Sequence, residues 1–172
     1  MGHIRQLSEN LANKIAAGEV VERPASVIKE LTENSIDAKA KRITILVEQG
    51  GTSSMSVIDD GIGMNRTDAL LCFSRHATSK IVDENDLFNI TTLGFRGEAI
   101  PSIASISVFT LETSDGEENT KVEYEFGKRK NVSSVAMNRG TKITVERIFQ
   151  NVPARLKYMK SINAEFAAIY SY

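Results

Sequence analysis

The spacing of apolar residues predicts a long helix in the first third of the chain. Pro24 suits its first position, where no backbone N–H is needed, and the helical pattern continues to about residue 37. At 3.6 residues per turn, one face of this helix is apolar and consists of Val27, Ile28, Leu31 and Ala38. An earlier helix is predicted over residues 8–17, with Ser8 as its N-cap.

Alternating apolar and polar residues predict strands. RITILVE (42–48) and MSVIDD (55–60) have this pattern and are joined by a glycine-containing turn. Further strands are predicted at about 105–113, 120–127, 131–136 and 140–147, with KRK at 128–130 in a solvated hairpin turn. Shorter helices are predicted from about residue 65, near Glu98, after Pro153 and near Asn163.

The order of these elements favours the α+β fold class. We predict a two-layer α/β sandwich in which a mixed, mostly antiparallel sheet is covered on one face by helices. Residues 74–97 lack periodicity, which is typical of a functional lid or of a disordered segment. The 172 residues suit one domain, and AEFAAIYSY ends in mid-helix without a cap, so we expect a further domain to follow in a longer protein.

Composition narrows the function classes. The chain is 41% hydrophobic and 25% charged, and its net charge of −1 gives no global basic field that would attract nucleic acid. No apolar run approaches the ~18 residues of a membrane span, so an intracellular aqueous location is expected. The single cysteine, Cys72, lies in the apolar run ALLCF and is expected to be a core residue rather than a reactive thiol.

Three oxygen-bearing side chains share one stripe at the edge of the apolar face of the predicted long helix. Measured from Glu30, Asn34 falls about 40° to one side and Asp37 about 20° to the other. Such a stripe is ordinarily an exposed polar edge. It also suits phosphate chemistry, because Mg²⁺ takes an amide oxygen such as that of Asn34, and a carboxylate such as Glu30 can accept a proton from an attacking water.

A second candidate lies at the end of the MSVIDD strand. If Met55 and Val57 face the helices, Asp59 ends the same apolar row, next to the glycines of DDGIGM. A buried carboxylate needs a donor, and glycine permits close approach of a ligand, so the motif suits an amino-heterocycle such as adenine. The alternative is an ordinary Asp–Gly turn at the end of a strand.

Two further stretches suit an anion. LGFRGEA (93–99) precedes a predicted helix, where free N–H groups attract phosphate, although an ordinary loop-to-helix junction has the same pattern. RHATSK (75–80) offers hydroxyl and ammonium donors. The chain lacks both the G-x-x-x-x-G-K-[ST] loop and the third glycine of a dinucleotide fingerprint, so any nucleotide is bound by another route.

The chain resembles the MutL family of DNA mismatch-repair ATPases, from the superfamily that includes DNA gyrase, Hsp90 and histidine kinases. The resemblance spans nearly the whole sequence and rests, in order, on NLANKIAAGEVVERPASVIKELTENSIDA, DDGIGM, SRHATSKI, TLGFRGEA, GT (140–141) and NVPARLKY. The bacterial members look closer, mainly through SRHATSKI.

The resemblance implies an ATP site with Mg²⁺ as a second cofactor. Glu30 would be the general base and Asn34 the magnesium ligand, while Asp37 would contact the nucleotide or help to end the helix. Asp59 would accept the adenine amino group, and Gly63 and Thr141 would line the base pocket, Thr141 through water. The lid and phosphate contacts would come from Thr78, Ser79, Lys80, Leu93, Gly94, Phe95, Arg96, Gly97 and Glu98.

The resemblance also implies a biological role. Residues 1–172 would be an ATP-binding domain, with an arm at 1–20 and an ATP lid at 74–97, whose ATP-driven dimer closure couples mismatch recognition to strand processing. Its partners would be ATP, a second copy, mismatch-sensing and strand-processing repair proteins, and DNA through transducer and C-terminal dimerisation domains absent from this chain. This piece is expected to bind ATP better than it hydrolyses it, in the bacterial cytoplasm at the nucleoid, or in the nucleus of a eukaryote.

Two other functions remain open at this point. One is a nucleotide-gated interaction module that binds ATP without hydrolysing it. The other is a different member of the superfamily, such as an Hsp90-like chaperone or a topoisomerase subunit, against which IAAGEVVERPAS and GFRGEA argue.

Overall fold

The computed structural model describes Val21, residues 23–74 and residues 99–153. These residues form the helices α1 (Pro24–Asp37), α2 (Arg66–Leu71) and α3 (Ala99–Ser105), and the strands β1 (Ile43–Glu48), β2 (Ser54–Asp59), β3 (Val108–Ser114), β4 (Asn119–Glu125), β5 (Lys128–Ser133) and β6 (Gly140–Glu146). The predicted arm, the helix at 8–17, the lid after Ser74 and the helices predicted beyond Pro153 lie outside the described residues.

The described strands form one sheet in the order β1-β2-β6-β3-β4-β5. Neighbouring strands in this order are antiparallel. β6 is the last of the described strands in chain order but lies between β2 and β3 in space. Together with the helices, this sheet confirms the predicted α+β two-layer class.

Strand alternation divides the sheet into a helix-covered face and an open face. Val57 pairs with Ile143, and Ile143 pairs with Leu111, so these three side chains form a buried apolar row. Met55, Val145 and Phe109 form a second such row, and the core continues into the helices through Ile28, Leu31 and Ile103. On the other face Ser56 and Thr144 share a hydrogen bond of 3.2 Å between their hydroxyls, and Leu46 is 54% exposed. The described helices thus pack on one face only.

The N-terminal elements match their sequence patterns closely. α1 begins with Pro24 and ends where Lys39 takes a left-handed conformation at φ 61°. β1 and β2 lie within one residue of the predicted strands. α2 begins after Asn65, whose side-chain oxygen accepts the backbone N–H of Asp68 at 2.8 Å, so a short helix has its N-cap.

The turn before β5 differs from the prediction. Phe126 and Gly127 form the turn, with φ angles of 47° and 87°, and Lys128 already pairs with Glu125 of β4. The assignment of KRK (128–130) to a hairpin turn was therefore wrong. A two-residue turn with positive φ at both positions matches the twist of the flanking strands, so the strand begins three residues earlier than predicted.

Cys72 behaves as a packing residue. Its thiol donates to the carbonyl oxygen of Ala69 at 3.1 Å, although part of the residue is exposed. Burial of the thiol, with a smaller contribution from the charge of Asp68, raises the pKa of Cys72 to about 12. The thiol therefore stays protonated at neutral pH and is a poor nucleophile. No helix in the described part of the chain is long and apolar enough to cross a membrane.

Two leucines on opposite faces of the sheet give a matched test of this layer arrangement. Leu111 is fully buried on the helix-covered face, whereas Leu46 is 54% exposed on the open face. We expect Leu111→Ala to lower the free energy of unfolding by about 2–5 kcal/mol, because it leaves a cavity in the core. Leu46→Ala is expected to change it by less than about 0.5 kcal/mol. Chemical denaturation measures both, and similar losses would contradict the assignment of the faces.

Candidate functional site

A row of polar side chains continues the apolar rows at one end of the helix-covered face. Asp59 of β2 pairs with Thr141 of β6, and Thr141 pairs with Thr113 of β3. Because side chains two residues apart share a face, these three follow Val57, Ile143 and Leu111 on the helix-covered side. Thr113 is fully buried and Asp59 is half-buried. The predicted position of Asp59 at the end of an apolar row is confirmed.

Both carboxylate oxygens of Asp59 have a donor from the protein. The hydroxyl of Ser35 donates to Oδ2 at 2.7 Å, and the backbone N–H of Gly61 donates to Oδ1 at 2.9 Å. A carboxylate has about four lone-pair sites, so acceptor capacity remains for a ligand. The Gly61 bond is an Asx-turn contact, in which an Asp side chain accepts from the backbone two residues later, whereas the Ser35 bond ties α1 to the end of β2.

Ser35 is a site residue that the sequence-based reasoning missed. It lies on the buried side of α1 and is only 2% exposed. A helical wheel contained the signal, because Ser35 falls on the same face as Ile28 and Leu31. A buried hydroxyl on an apolar helix face needs a hydrogen-bond partner, but the helical pattern does not identify Asp59 as that partner.

Glu30, Asn34 and Asp37 lie along one edge of α1, as the wheel predicted. The helix is continuous across all three, and each of them is half-buried. One carboxylate oxygen of Glu30 is buried. Since Ser35 of the same helix bonds to Asp59, α1 brings this edge to the sheet end that carries the polar row. Their chemical roles stay predictions.

The glycines of DDGIGM permit close packing on two sides of the loop after β2. A Cβ at Gly61 would lie 2.6 Å from the carbonyl oxygen of Ala38, at the end of α1. Gly63 has φ +68°, and a Cβ there would collide with the carbonyl oxygen of Ser114. Both positions therefore require glycine, because the backbone of a neighbouring element occupies the space of a side chain.

Hydrogen bonds from three directions hold the same loop. The N–H of Ile62 donates to the carbonyl oxygen of Ala38 at 2.9 Å. The Nε of Arg139 donates to the carbonyl oxygen of Ile62 at 3.1 Å, and the N–H of Met64 donates to the hydroxyl of Thr113 at 3.0 Å. The loop is thereby fixed between α1, β3 and the segment before β6.

The second carboxylate of DDGIGM has a structural task. Oδ1 of Asp60 accepts the backbone N–H groups of Arg42 and Lys41 at 2.9 and 2.7 Å. These N–H groups stabilise the charged form, and so they lower the pKa of Asp60 below its usual value. Asp60 therefore anchors the start of β1, which leaves Asp59 as the carboxylate of this pair on the helix-covered face.

A groove of about 440 Å³ lies on the opposite, open face of the sheet. Its floor includes Thr44, Ile58, Lys142 and Glu112, and residues 135–139 form a wall. The register places these floor residues between the members of the helix-facing rows, so they point away from α1. Asp59 and Asp60 also line the groove, so the groove reaches the candidate site at the end of β2.

The remaining predicted site residues lie outside the described part of the chain. They are Thr78, Ser79 and Lys80 of the predicted lid, and the run Leu93, Gly94, Phe95, Arg96, Gly97 and Glu98. Among the described residues, no group of three or more histidine, cysteine, aspartate or glutamate side chains is arranged to hold a metal ion.

Comparison with known families gives an independent view of this fold. A family model described as histidine kinase-, DNA gyrase B-, and HSP90-like ATPase matches residues 22–158. The match includes every described residue placed at the candidate site, from Glu30 to Thr141.

The chain is similar in sequence to a bacterial repair protein. It is 55% identical over 170 residues to the DNA mismatch repair protein MutL of Exiguobacterium sibiricum. The alignment covers 98% of this chain but only 28% of that relative, so the chain spans about a quarter of the relative's length.

Two solved structures share the fold. The crystal structure of the N-terminal domain of a DNA repair protein superposes with a TM-score of 0.77 at 30% identity, covering 96% of this chain and 49% of that one. The Aquifex aeolicus MutL ATPase domain complexed with ADP superposes with a TM-score of 0.68 at 28% identity, covering 88% of this chain and 53% of that one.

Two glycines with positive φ test the packing of the site loop. Gly63→Ala and Gly116→Ala both place a side chain in a left-handed conformation, which costs about 1–2 kcal/mol each. The Cβ at Gly116 meets only the Cδ of Arg139, at 4.0 Å, whereas the Cβ at Gly63 collides with the backbone of Ser114. We expect Gly63→Ala to lower the free energy of unfolding by about 1–3 kcal/mol more than Gly116→Ala in chemical denaturation. Equal losses would mean that the loop is free to move away from β3.

Proposed function

This chain belongs to the histidine kinase-, DNA gyrase B-, and HSP90-like ATPase family, and from that premise we propose that it binds and hydrolyses ATP as part of a MutL-type DNA mismatch repair protein. The observation that carries the proposal is Asp59, a half-buried carboxylate held between Ser35 and Gly61 at the end of an apolar row. The similarity to a MutL ATPase domain complexed with ADP supports a nucleotide as the ligand.

We propose that the polar row is the floor of the adenine pocket. Asp59 retains acceptor capacity and so suits the exocyclic amino group of adenine. Thr141 lies directly across from it on β6, and Gly63 lies in the loop after β2, next to Met64, whose N–H donates to Thr113. Gly61 and Gly63 let the loop pack closely against Ala38 and Ser114, and this packing fixes the backbone next to Asp59.

The edge of α1 suits the phosphate end of the nucleotide. Asn34 supplies one neutral oxygen at the half-buried edge of the helix. This fits Mg²⁺, which keeps several waters and is held by one or two protein oxygens together with substrate phosphates. Bound there, Mg²⁺ would neutralise phosphate charge during transfer of the terminal phosphoryl group.

Glu30 is the proposed general base. It lies one helical turn before Asn34, and one of its carboxylate oxygens is buried in the protein. From that position the carboxylate can orient a water and accept its proton as the water attacks the terminal phosphate. Asp37, one turn after Asn34, is proposed to contact the nucleotide.

Residues of the predicted lid would complete the phosphate site. We propose that Thr78, Ser79 and Lys80 donate to phosphate oxygens, and that residues 93–98 present backbone N–H groups at the start of α3. Phosphoryl transfer depends mainly on positioning and charge stabilisation, so donors of this kind suffice beside one base and one metal.

In the whole protein we propose that nucleotide state controls assembly. ATP would close a dimer through the arm at residues 1–20 and so relay mismatch recognition to strand-processing proteins in the bacterial cytoplasm, at the nucleoid. DNA contacts would come mainly from regions of the whole protein that correspond to the unaligned part of its relatives, because this chain has a net charge of −1. The second candidate, a module that binds ATP without hydrolysis, shares the pocket and differs only in the use of Glu30.

Calorimetry with a non-hydrolysable ATP analogue tests the pocket. We expect binding that strengthens when Mg²⁺ is added, and an affinity loss of about tenfold or more in Asp59→Asn, because the amide puts an NH2 group in place of one of the two acceptor oxygens of a half-buried carboxylate. Asp60→Asn is the matched control, since the neighbouring Asp60 carboxylate contacts the backbone of Lys41 and Arg42 instead. If both variants bind as tightly as the wild type, Asp59 is not the adenine acceptor.

Glu30→Gln in the intact protein separates the two candidate functions. We expect the variant to keep ATP affinity within about threefold and to lose about 10²–10⁴-fold in turnover, because the amide cannot accept a proton. Glu33→Gln, on the same helix but off the stripe, is the control and should hydrolyse ATP normally. A steady-state phosphate-release assay measures both. Undiminished turnover in Glu30→Gln would refute the assignment of the base.

A further inference from the structure

The hydroxyl of Thr113 lies at the β3 end of the polar row and has three polar neighbours. Its Oγ1 is 3.0 Å from the backbone nitrogen of Met64, 3.1 Å from the carbonyl oxygen of Gly140 and 2.9 Å from the hydroxyl oxygen of Thr141. The residue is fully buried, so these neighbours must satisfy its hydrogen-bonding groups.

The number of protons on the Thr113 hydroxyl determines which atom donates in each of these hydrogen bonds. A hydroxyl has one proton to donate and two lone pairs to accept with. The nitrogen of Met64 can only donate and the carbonyl of Gly140 can only accept, so Thr113 accepts from the first and donates to the second. Its second lone pair is then left for the proton of Thr141. Only this arrangement makes all three contacts hydrogen bonds.

The direction of the last bond has a consequence for Thr141. If the proton of Thr141 points toward Thr113, the lone pairs of its oxygen face the other way. Thr141 lies between Thr113 and Asp59 in the strand register, so its lone pairs are presented beside the carboxylate of Asp59. The end of the pocket therefore offers two neighbouring acceptors and no hydroxyl donor from Thr141.

We infer that Thr113 is a positioning residue for base selection: it holds Thr141 as an acceptor, and the paired acceptors of Thr141 and Asp59 select a 6-aminopurine over a 6-oxopurine. This rests on the proposed nucleotide site. The two hydrogens of a 6-amino group match two acceptors, directly or through a water. The carbonyl oxygen of a 6-oxopurine would face acceptors and remain unpaired, which binding sites reject strongly.

Thr113 could affect nucleotide binding either by selecting the base or only by supporting the loop, and these two roles have different consequences. Thr113 also holds Met64, so its loss would loosen the DDGIGM loop and weaken all nucleotides alike. If Thr113 controls base selection, its loss should instead change the affinity for one base relative to the other. Without the hydroxyl of Thr113, the proton of Thr141 is free to turn toward the ligand and pair with an oxygen at position 6.

Competition binding with the non-hydrolysable analogues of ATP and ITP tests the inference, because the two bases differ at the 6-amino group and the adjoining ring proton. We expect the wild type to prefer the ATP analogue and Thr113→Val to reduce that preference about three- to tenfold, the size of one hydrogen bond. Thr113→Ser keeps the hydroxyl and should keep the wild-type preference.

The outcomes are distinct. If Thr113→Val weakens both analogues by the same factor, Thr113 only supports the loop and the inference is overturned. If the wild type binds neither analogue, the proposed nucleotide site itself is wrong, and the inference falls with it.

A second variant keeps the test open if Thr113→Val does not fold. Thr141→Val removes the group on which Thr113 acts and leaves Thr113 in place. If the Thr141 hydroxyl accepts a hydrogen bond from the base, Thr141→Val should lower the preference for the ATP analogue. A preference that is unchanged or higher would mean that Thr141 is not an acceptor toward the base, which overturns the inference.

Discussion

The in-register pairing of β2, β6 and β3 is the constraint on which the site depends. Asp59, Thr141 and Thr113 lie side by side only because each strand keeps its pairing with the next. A slip of one residue in any strand would turn its polar side chain to the open face. The apolar rows through Val57 and Met55 oppose such a slip, because it would expose the core. The packing that stabilises the fold therefore also sets the chemistry of the site.

Burial of apolar side chains against the sheet also fixes the orientation of helix α1. Its apolar face lies on the sheet, and Ser35 within that face bonds to Asp59. The stripe of Glu30, Asn34 and Asp37 then has one possible direction, along the edge of the buried face. Rotation of the helix to expose the stripe more fully would break the Ser35 bond and uncover Leu31. The polar side chains of the stripe are thus placed by the packing of their apolar neighbours.

Helices and strands with a local periodic pattern could be predicted from the sequence. Contacts between residues that are distant in the sequence could not. α1, β1 and β2 were found because their alternation and the helix-starting Pro24 are local signals. KRK was assigned to a turn because a two-residue hairpin with Phe126 in a positive-φ conformation has no strong sequence signature. The Ser35 contact was not foreseen because it depends on how α1 packs on β2, and the Thr113–Thr141 contact was not foreseen because it exists only once β6 has paired with β3. The predictions for residues 78–80 and 93–98 concern a part of the chain that the structure does not describe.

The central place of β6 also sets an order of events during synthesis. β1 and β2 can pair as a hairpin, and β3, β4 and β5 as a meander, while the chain is still growing. The two halves remain separate sheets with unpaired edges until residues 140–146 have left the ribosome and joined them. Contacts of such long sequence separation form late and slowly. The row of Asp59, Thr141 and Thr113 is therefore assembled only after β6 has been synthesised, and a ligand that binds the finished row draws the last folding step to completion by mass action.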